Sequence, residues 1–89
     1  MATQVIKKDG TKEPFDGGKI KRAVEAAAKE AGLTEEQVNE TIGQVSGAVM
    51  ELADSKEEIA TSELRDKILS ELDKVQPAAA AAWRKYVQE

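Results

Sequence analysis

The chain has no cysteine and no histidine, and it has one tryptophan, one tyrosine and one phenylalanine. Without cysteine there is no disulfide, no zinc ribbon and no thiol nucleophile, and without histidine there is no imidazole base. The lack of cysteine suits a reducing compartment. No apolar run approaches the roughly 20 residues that a bilayer-spanning helix needs. The N-terminus has neither the basic n-region nor the apolar h-region of a signal peptide. No membrane partner is expected, and the cytoplasm is the expected location.

What remains is a chain of 89 residues, 40% hydrophobic and 34% charged. That length suits one small domain over residues 1–89 and leaves little room for a separate substrate cleft. The hydrophobic residues are frequent and periodic enough for a folded, helix-rich domain. The net charge of −4 argues against general nucleic-acid binding, so nucleic acid is not expected as a partner. The distribution is more telling than the total. Residues 1–22 hold six Lys or Arg against three Asp or Glu, whereas residues 23–89 hold seven against fourteen. Positive potential is therefore concentrated at the N-terminal end. A solvated face is the plain alternative reading of those cations.

That end reads as a hairpin followed at once by a helix. Asp9-Gly10 is a turn signal between strands expected at Gln4 to Lys8 and Lys12 to Phe15, with Val5 and Phe15 facing inward. Pro14 cannot donate to a ladder, so the second strand ends there or lies at an edge. The first helix is expected from Gly17 to Ala31, with Asp16 as N-cap and Gly32 as C-terminal stop. Ile20, Val24, Ala27, Ala28 and Ala31 form its apolar stripe. Lys19, Lys21 and Arg22 fall near the start of this helix, where the free N–H groups are already electropositive. Cations there are misplaced unless an anion joins them, and phosphate is the obvious anion.

Thr34-Glu35-Glu36-Gln37 reads as a capping box opening a second helix. Val38, Ile42, Val45, Val49 and Leu52 form its narrow buried seam. Gly43 and Gly47 share another face and are expected to permit close approach of a further helix, the Ala-rich last one; the rival reading is a flexible weak point in the helix. Asp54 to Glu57 is a polar connection, and Glu58-Ile59-Ala60 has the length of a short third strand. Thr61 or Ser62 is expected to cap a third helix, with Leu64, Ile68 and Leu72 on its core face. Pro77 opens a fourth helix, in which Ala78 to Ala82 pack and Trp83, Tyr86 and Val87 add bulk. The expected class is α+β, mostly helical: a four-helix bundle capped by a β-hairpin.

Enzyme motifs are missing. Gly17-Gly18-Lys19 is no P-loop, because Glu13 stands where the first Gly is needed and Ile20 where Ser or Thr is needed. There is no Gly-x-Gly-x-x-Gly fingerprint. Carboxylates are abundant, but no spacing singles out an acid–base pair. The chain is not expected to be an enzyme.

Val5-Ile6-Lys7-Lys8-Asp9-Gly10, Pro14-Phe15-Asp16 and Lys19-Ile20 resemble the opening signature of the ATP-cone family. These are nucleotide-sensing regulatory modules found in ribonucleotide reductases and their repressor. The likeness continues at Glu58-Ile59-Ala60-Thr61-Ser62-Glu63-Leu64 and in the aromatic last helix. It implies ATP or dATP held between a small sheet and the bundle, with Mg2+ able to enter through the phosphate oxygens. By motif position, Val5 and Ile20 would contact the base, and Glu13 and Asp16 would accept its N–H groups. Lys7, Lys8 and Lys19 would meet the triphosphate. Thr61 would supply a hydroxyl contact, and Arg65 would face phosphate or ribose. Relatives often carry a basic residue just after the final aromatic, where Val87 stands here. Lys85, earlier in the same helix, would supply the last phosphate contact instead. Relatives usually have Arg at the position of Lys8 and often Asn at that of Asp16. The implied partner is a ribonucleotide reductase or another regulated protein, or a second copy of the chain. As the sequence stops at Glu89 without such a protein, it reads as an excised or free-standing module. Repression by it alone is not expected, because the repressor relatives need a cysteine zinc ribbon. The rival reading is a helical interaction or dimerisation module of the same fold that binds no nucleotide.

Overall fold

The computed structural model describes residues 2–87, without the side chains of Tyr86 and Val87. The expectation that those two side chains add bulk to the last helix lies outside the described residues. The elements run β1 (Gln4–Ile6), β2 (Lys12–Pro14), α1 (Gly17–Glu30), α2 (Glu35–Asp54), β3 (Glu58–Ala60), α3 (Thr61–Val75) and α4 (Pro77–Val87). The class is α+β and mostly helical, as expected.

The strands are shorter than expected because the turn closes early. Lys7 N–H donates to the Thr11 carbonyl at 2.8 Å, and Gly10 N–H donates to the Lys7 carbonyl at 2.9 Å. Lys8 thereby falls in the bend rather than in β1. Asp9 accepts from both the backbone N–H and the hydroxyl of Thr11, fixing the turn from within. Gly10 has a φ of 88°, the left-handed conformation that glycine adopts without penalty. The third strand is present, and the sheet order is β2-β1-β3. β1 runs antiparallel to β2 and parallel to β3, and Pro14 sits in an edge strand.

Three of the helix boundaries follow from local chemistry. Asp16 caps α1 by accepting from Gly18 N–H at 2.9 Å and Lys19 N–H at 3.3 Å. The turn after α1 uses Gly32 at a φ of 80°. Thr34 and Gln37 form both halves of the capping box of α2. The start of α3 departs from expectation. Neither Thr61 nor Ser62 caps it: Ala60 occupies the cap position, and the Glu63 carboxylate accepts from Ala60 N–H at 3.5 Å. Lys56 holds that carboxylate at 2.8 Å, and its hydrogen bond is the main reason the Glu63 pKa lies below the usual glutamate value. Thr61 is the first helical residue instead, and its hydroxyl donates to the Ile6 carbonyl at 3.2 Å.

The helices form a ring: α1 packs on α2 and α4, and α3 packs on the same two. The core runs through Val24, Val45, Val49, Ile68, Leu72, Ala79 and Trp83. Trp83 is a core residue, as its bulk implies. Thr41 and Ser46 widen the buried face of α2. Each is satisfied within the helix, Thr41 donating to the Gln37 carbonyl at 2.7 Å and Ser46 to the Ile42 carbonyl at 2.6 Å. Gly43 and Gly47 correct the expectation of close helix approach. Both are exposed, and a Cβ added at either would meet nothing within 4 Å. Val38, Val45 and Val49 point into the ring, so the two glycines, on the opposite arc, point out of it.

The sheet sits at the end of the bundle where α2 finishes and where α1 and α3 start. Ala2 N–H donates to the Ala53 carbonyl at 2.8 Å, and Thr3 N–H donates to the Glu57 carbonyl at 3.0 Å. Ile59 is wholly buried, and Val5 and Phe15 pack against the core. One face of the sheet is thus turned to the bundle.

Candidate functional site

Register decides which side chains share that inner face. Val5 lies opposite Glu13 on β2 and opposite Ile59 on β3. Residues directly opposite across a ladder point the same way, so Glu13 lies on the inner face beside two apolar residues. Lys7, two residues beyond Val5, is on the same face, and its Nζ is 2.7 Å from Glu13 Oε1. On the outer face, Lys12 reaches across β1 to Glu58 at 2.8 Å.

The pair shapes the charge of the site. The hydrogen bond from Lys7 is the largest influence on Glu13 and holds its carboxyl below the usual glutamate range; Lys19 adds a smaller pull in the same direction. Glu13 in turn raises the Lys7 ammonium, first through that hydrogen bond and then through its charge. Phe15 N–H donates to the Thr3 carbonyl at 3.0 Å and α1 starts two residues later, so the first turn of α1 lies at the rim of the sheet. In that turn Asp16 is already committed. Its Oδ1 caps the helix, and its Oδ2 is 3.7 Å from Arg22. Ile20 is half-buried and packs against the core, as Val5 does.

The fold therefore gathers Val5, Lys7, Glu13, Lys19 and Ile20 where β1, β2 and α1 meet, with Asp16 at their edge. Thr61 is tied to β1 through the Ile6 carbonyl, and Arg65 follows one turn later, exposed, on α3. Lys8 is exposed in the hairpin bend, and Lys85 is exposed on α4. No hydrogen bond or ion pair among the described residues joins Lys8, Arg65 or Lys85 to the group around Glu13. Among the described residues, Lys8, Lys19, Lys21, Arg65 and Lys85 are the cations with no carboxylate within ion-pair distance.

Two features escaped the sequence. Lys7 and Glu13 read as separate contacts, and only the register shows them as partners. Met50 gave no signal. Its terminal methyl covers Gly17, so a Cβ at Gly17 would collide with it. That contact seats the start of α1 against the last turns of α2, and the glycine at residue 17 was its one trace in the sequence. Among the described residues, no group of three or more acidic side chains could hold a metal ion. Mg2+ arriving with a nucleotide would depend on phosphate oxygens. No described helix is long and apolar enough to cross a membrane.

The chain matches the family model described as ATP cone domain over residues 3–89. It is 32% identical over 72 residues to the transcriptional repressor NrdR of Rhodopirellula baltica, covering 81% of this chain and 45% of that protein. To the NrdR of Chloroflexus aggregans it is 33% identical over 72 residues, covering 81% and 40%. To that of Syntrophus aciditrophicus it is 35% identical over 78 residues, covering 84% and 48%. The chain spans under half the length of these curated relatives. They overturn the expectation that nucleic acid is no partner. Proteins named as transcriptional repressors work on gene expression, and the acidic balance of a stretch under half their length is no argument against that setting. The match over residues 3–89 and the gathering of the signature residues at one end of the bundle agree, and the chain belongs to the ATP-cone family.

Proposed function

We propose that this chain is a regulatory domain that binds ATP or dATP where the inner face of the sheet meets the start of α1, and that it signals the bound nucleotide to a regulated protein. The observation that carries the reading is the meeting of Val5, Lys7, Glu13 and Lys19 at one rim. Apolar Val5 and Ile20 suit a base plane. Glu13 can accept from the exocyclic amine of adenine, a donor that guanine does not present at that position. Lys19, without an ion pair among the described residues, and Lys7 suit a triphosphate through charge-assisted hydrogen bonds. Thr61 and Arg65, at the start of α3, suit contacts to ribose or phosphate. Lys8 and Lys85 complete the set by resemblance.

A regulatory domain shifts only an equilibrium whose two states bind the ligand differently. The strands are three residues each and lean on the bundle, so the sheet is the element whose position responds to a ligand beneath it. Thr61 couples it directly to α3. The responding protein is a transcriptional repressor in the relatives and would be a reductase or another joined protein elsewhere in the family.

The test is thermal unfolding with ATP and with dATP. A ligand at a hundredfold excess over its Kd stabilises the chain by about 2.7 kcal/mol. No change with either nucleotide at millimolar concentration would overturn the reading. It would favour the rival interaction module, which the exposed Gly43 and Gly47 face supports.

A further inference from the structure

Lys7 and Glu13 are the two members of one ion pair, yet nucleotide binding assigns them to opposite ends of the ligand. Lys7 Nζ stands 2.7 Å from Glu13 Oε1, and the side chains are 47% and 40% exposed. One acceptor oxygen of the carboxylate and one donor of the ammonium are therefore already used. A base that approaches Glu13 by itself either displaces Lys7 from Oε1 or bonds the other oxygen of a carboxylate whose charge Lys7 already neutralises in part. A phosphate that approaches Lys7 by itself meets the Glu13 charge beside it. Only a ligand that brings a donor to Glu13 and an anion to Lys7 together compensates both members when the pair opens.

We propose that the Lys7–Glu13 pair is a specificity gate that selects ligands carrying a base and a polyphosphate together and disfavours those carrying either alone. The proposal rests on the nucleotide reading above and deepens it. Two further charges reach the pair, Asp9 acting on both members and Lys19 on Glu13, each less strongly than the two partners act on one another. Asp9 Oδ1 accepts from Thr11, and Asp16 Oδ1 caps α1, so neither of those oxygens takes part in the pair. Because the pair is half-exposed and screened by salt, its effect is a few-fold change in affinity rather than orders of magnitude. The Lys12–Glu58 pair, of similar length and exposure on the outer face, is an internal comparison.

Calorimetry with adenosine, inorganic tripolyphosphate and ATP tests the gate on the unmodified chain and on Lys7→Met, Glu13→Gln and Glu58→Gln. Lys7→Met should bind adenosine about two- to fivefold more tightly than the unmodified chain, while binding ATP more weakly. Glu13→Gln should bind tripolyphosphate more tightly by about the same factor. Glu58→Gln removes an equal charge from the other face and should leave tripolyphosphate affinity unchanged. Circular dichroism checks the fold, and Lys7→Gln replaces Lys7→Met should the latter lose its helix signal. If Lys7→Met gains nothing for adenosine, up to its solubility limit, the gate is overturned. It is overturned equally if Glu13→Gln gains no more for tripolyphosphate than Glu58→Gln does. In both cases ATP binding by the unmodified chain stands. If the unmodified chain binds no ATP, the nucleotide reading itself falls and the gate with it.

Discussion

Glu71 and Lys74, one turn apart on α3, meet at 3.3 Å, with the carboxylate residue buried to 5% exposure and the lysine side chain 68% exposed. Lys67 approaches the same oxygen at 3.6 Å, and the side chain of Gln44 on α2 adds a smaller pull in the same direction. The Lys74 hydrogen bond is the largest of these influences. Together they hold the Glu71 carboxyl below its ordinary 4.5, against the opposing effect of burial. A carboxyl whose pKa is lower folded than unfolded contributes stability that is present above the unfolded value and is lost as pH falls through the folded one. Urea unfolding should therefore show stability falling as pH drops below 4.5. In Glu71→Gln that acid limb should be shallower, because the substituted amide does not titrate. An unchanged acid limb in the variant would mean that other carboxyls, such as Glu13 and Glu63, carry the whole dependence.

Gly43 and Gly47 lie inside α2 with no neighbour within 4 Å of an added Cβ, and neither has a positive φ. Alanine there relieves the backbone entropy cost of glycine without a clash. Gly43→Ala and Gly47→Ala should each stabilise the chain by about 0.5–1 kcal/mol in urea unfolding. Destabilisation by either would show that another surface packs against this face in solution.

Lys19 is exposed on the first turn of α1 and has no ion pair among the described residues, so its removal costs the fold little. Lys19→Ala should weaken ATP binding about tenfold to a hundredfold, as expected for a lost hydrogen bond to a charged group, with an unchanged unfolding curve. Calorimetry that finds full ATP affinity in this variant would move the phosphate site elsewhere.

Glu13 bears on the choice of base. The unmodified chain should prefer ATP to GTP. Glu13→Gln, which replaces one acceptor oxygen by a donor amide at constant size, should cut that preference by about two- to tenfold. Competition between the two nucleotides reads this directly, and equal affinities in the unmodified chain would remove Glu13 from the base contact.

Much of the fold was legible in the sequence because it rests on bonds between near neighbours. Asp16 reaches N–H groups two and three residues on, Thr34 and Gln37 bond each other, and Gly10 and Gly32 supply positive φ at their own positions. The seam of Val38, Val45 and Val49 follows from the 3.6-residue period alone. The ends of the strands were less legible, because a turn closes wherever Lys7 finds Thr11 rather than where the apolar residues stop.

The sequence by itself determined which residue types stand at the signature positions, and so the family. Tertiary structure alone decided what those residues do to one another. Strand register set Glu13 against Lys7 and beside Val5, and the bond from Thr61 to Ile6 joins residues 55 apart. The ring of helices turned Gly43 and Gly47 outward, where the sequence had suggested a helix contact. The physical reason is range. Caps and turns are chosen within about four residues, whereas a pairing between distant segments depends on how every element between them packs.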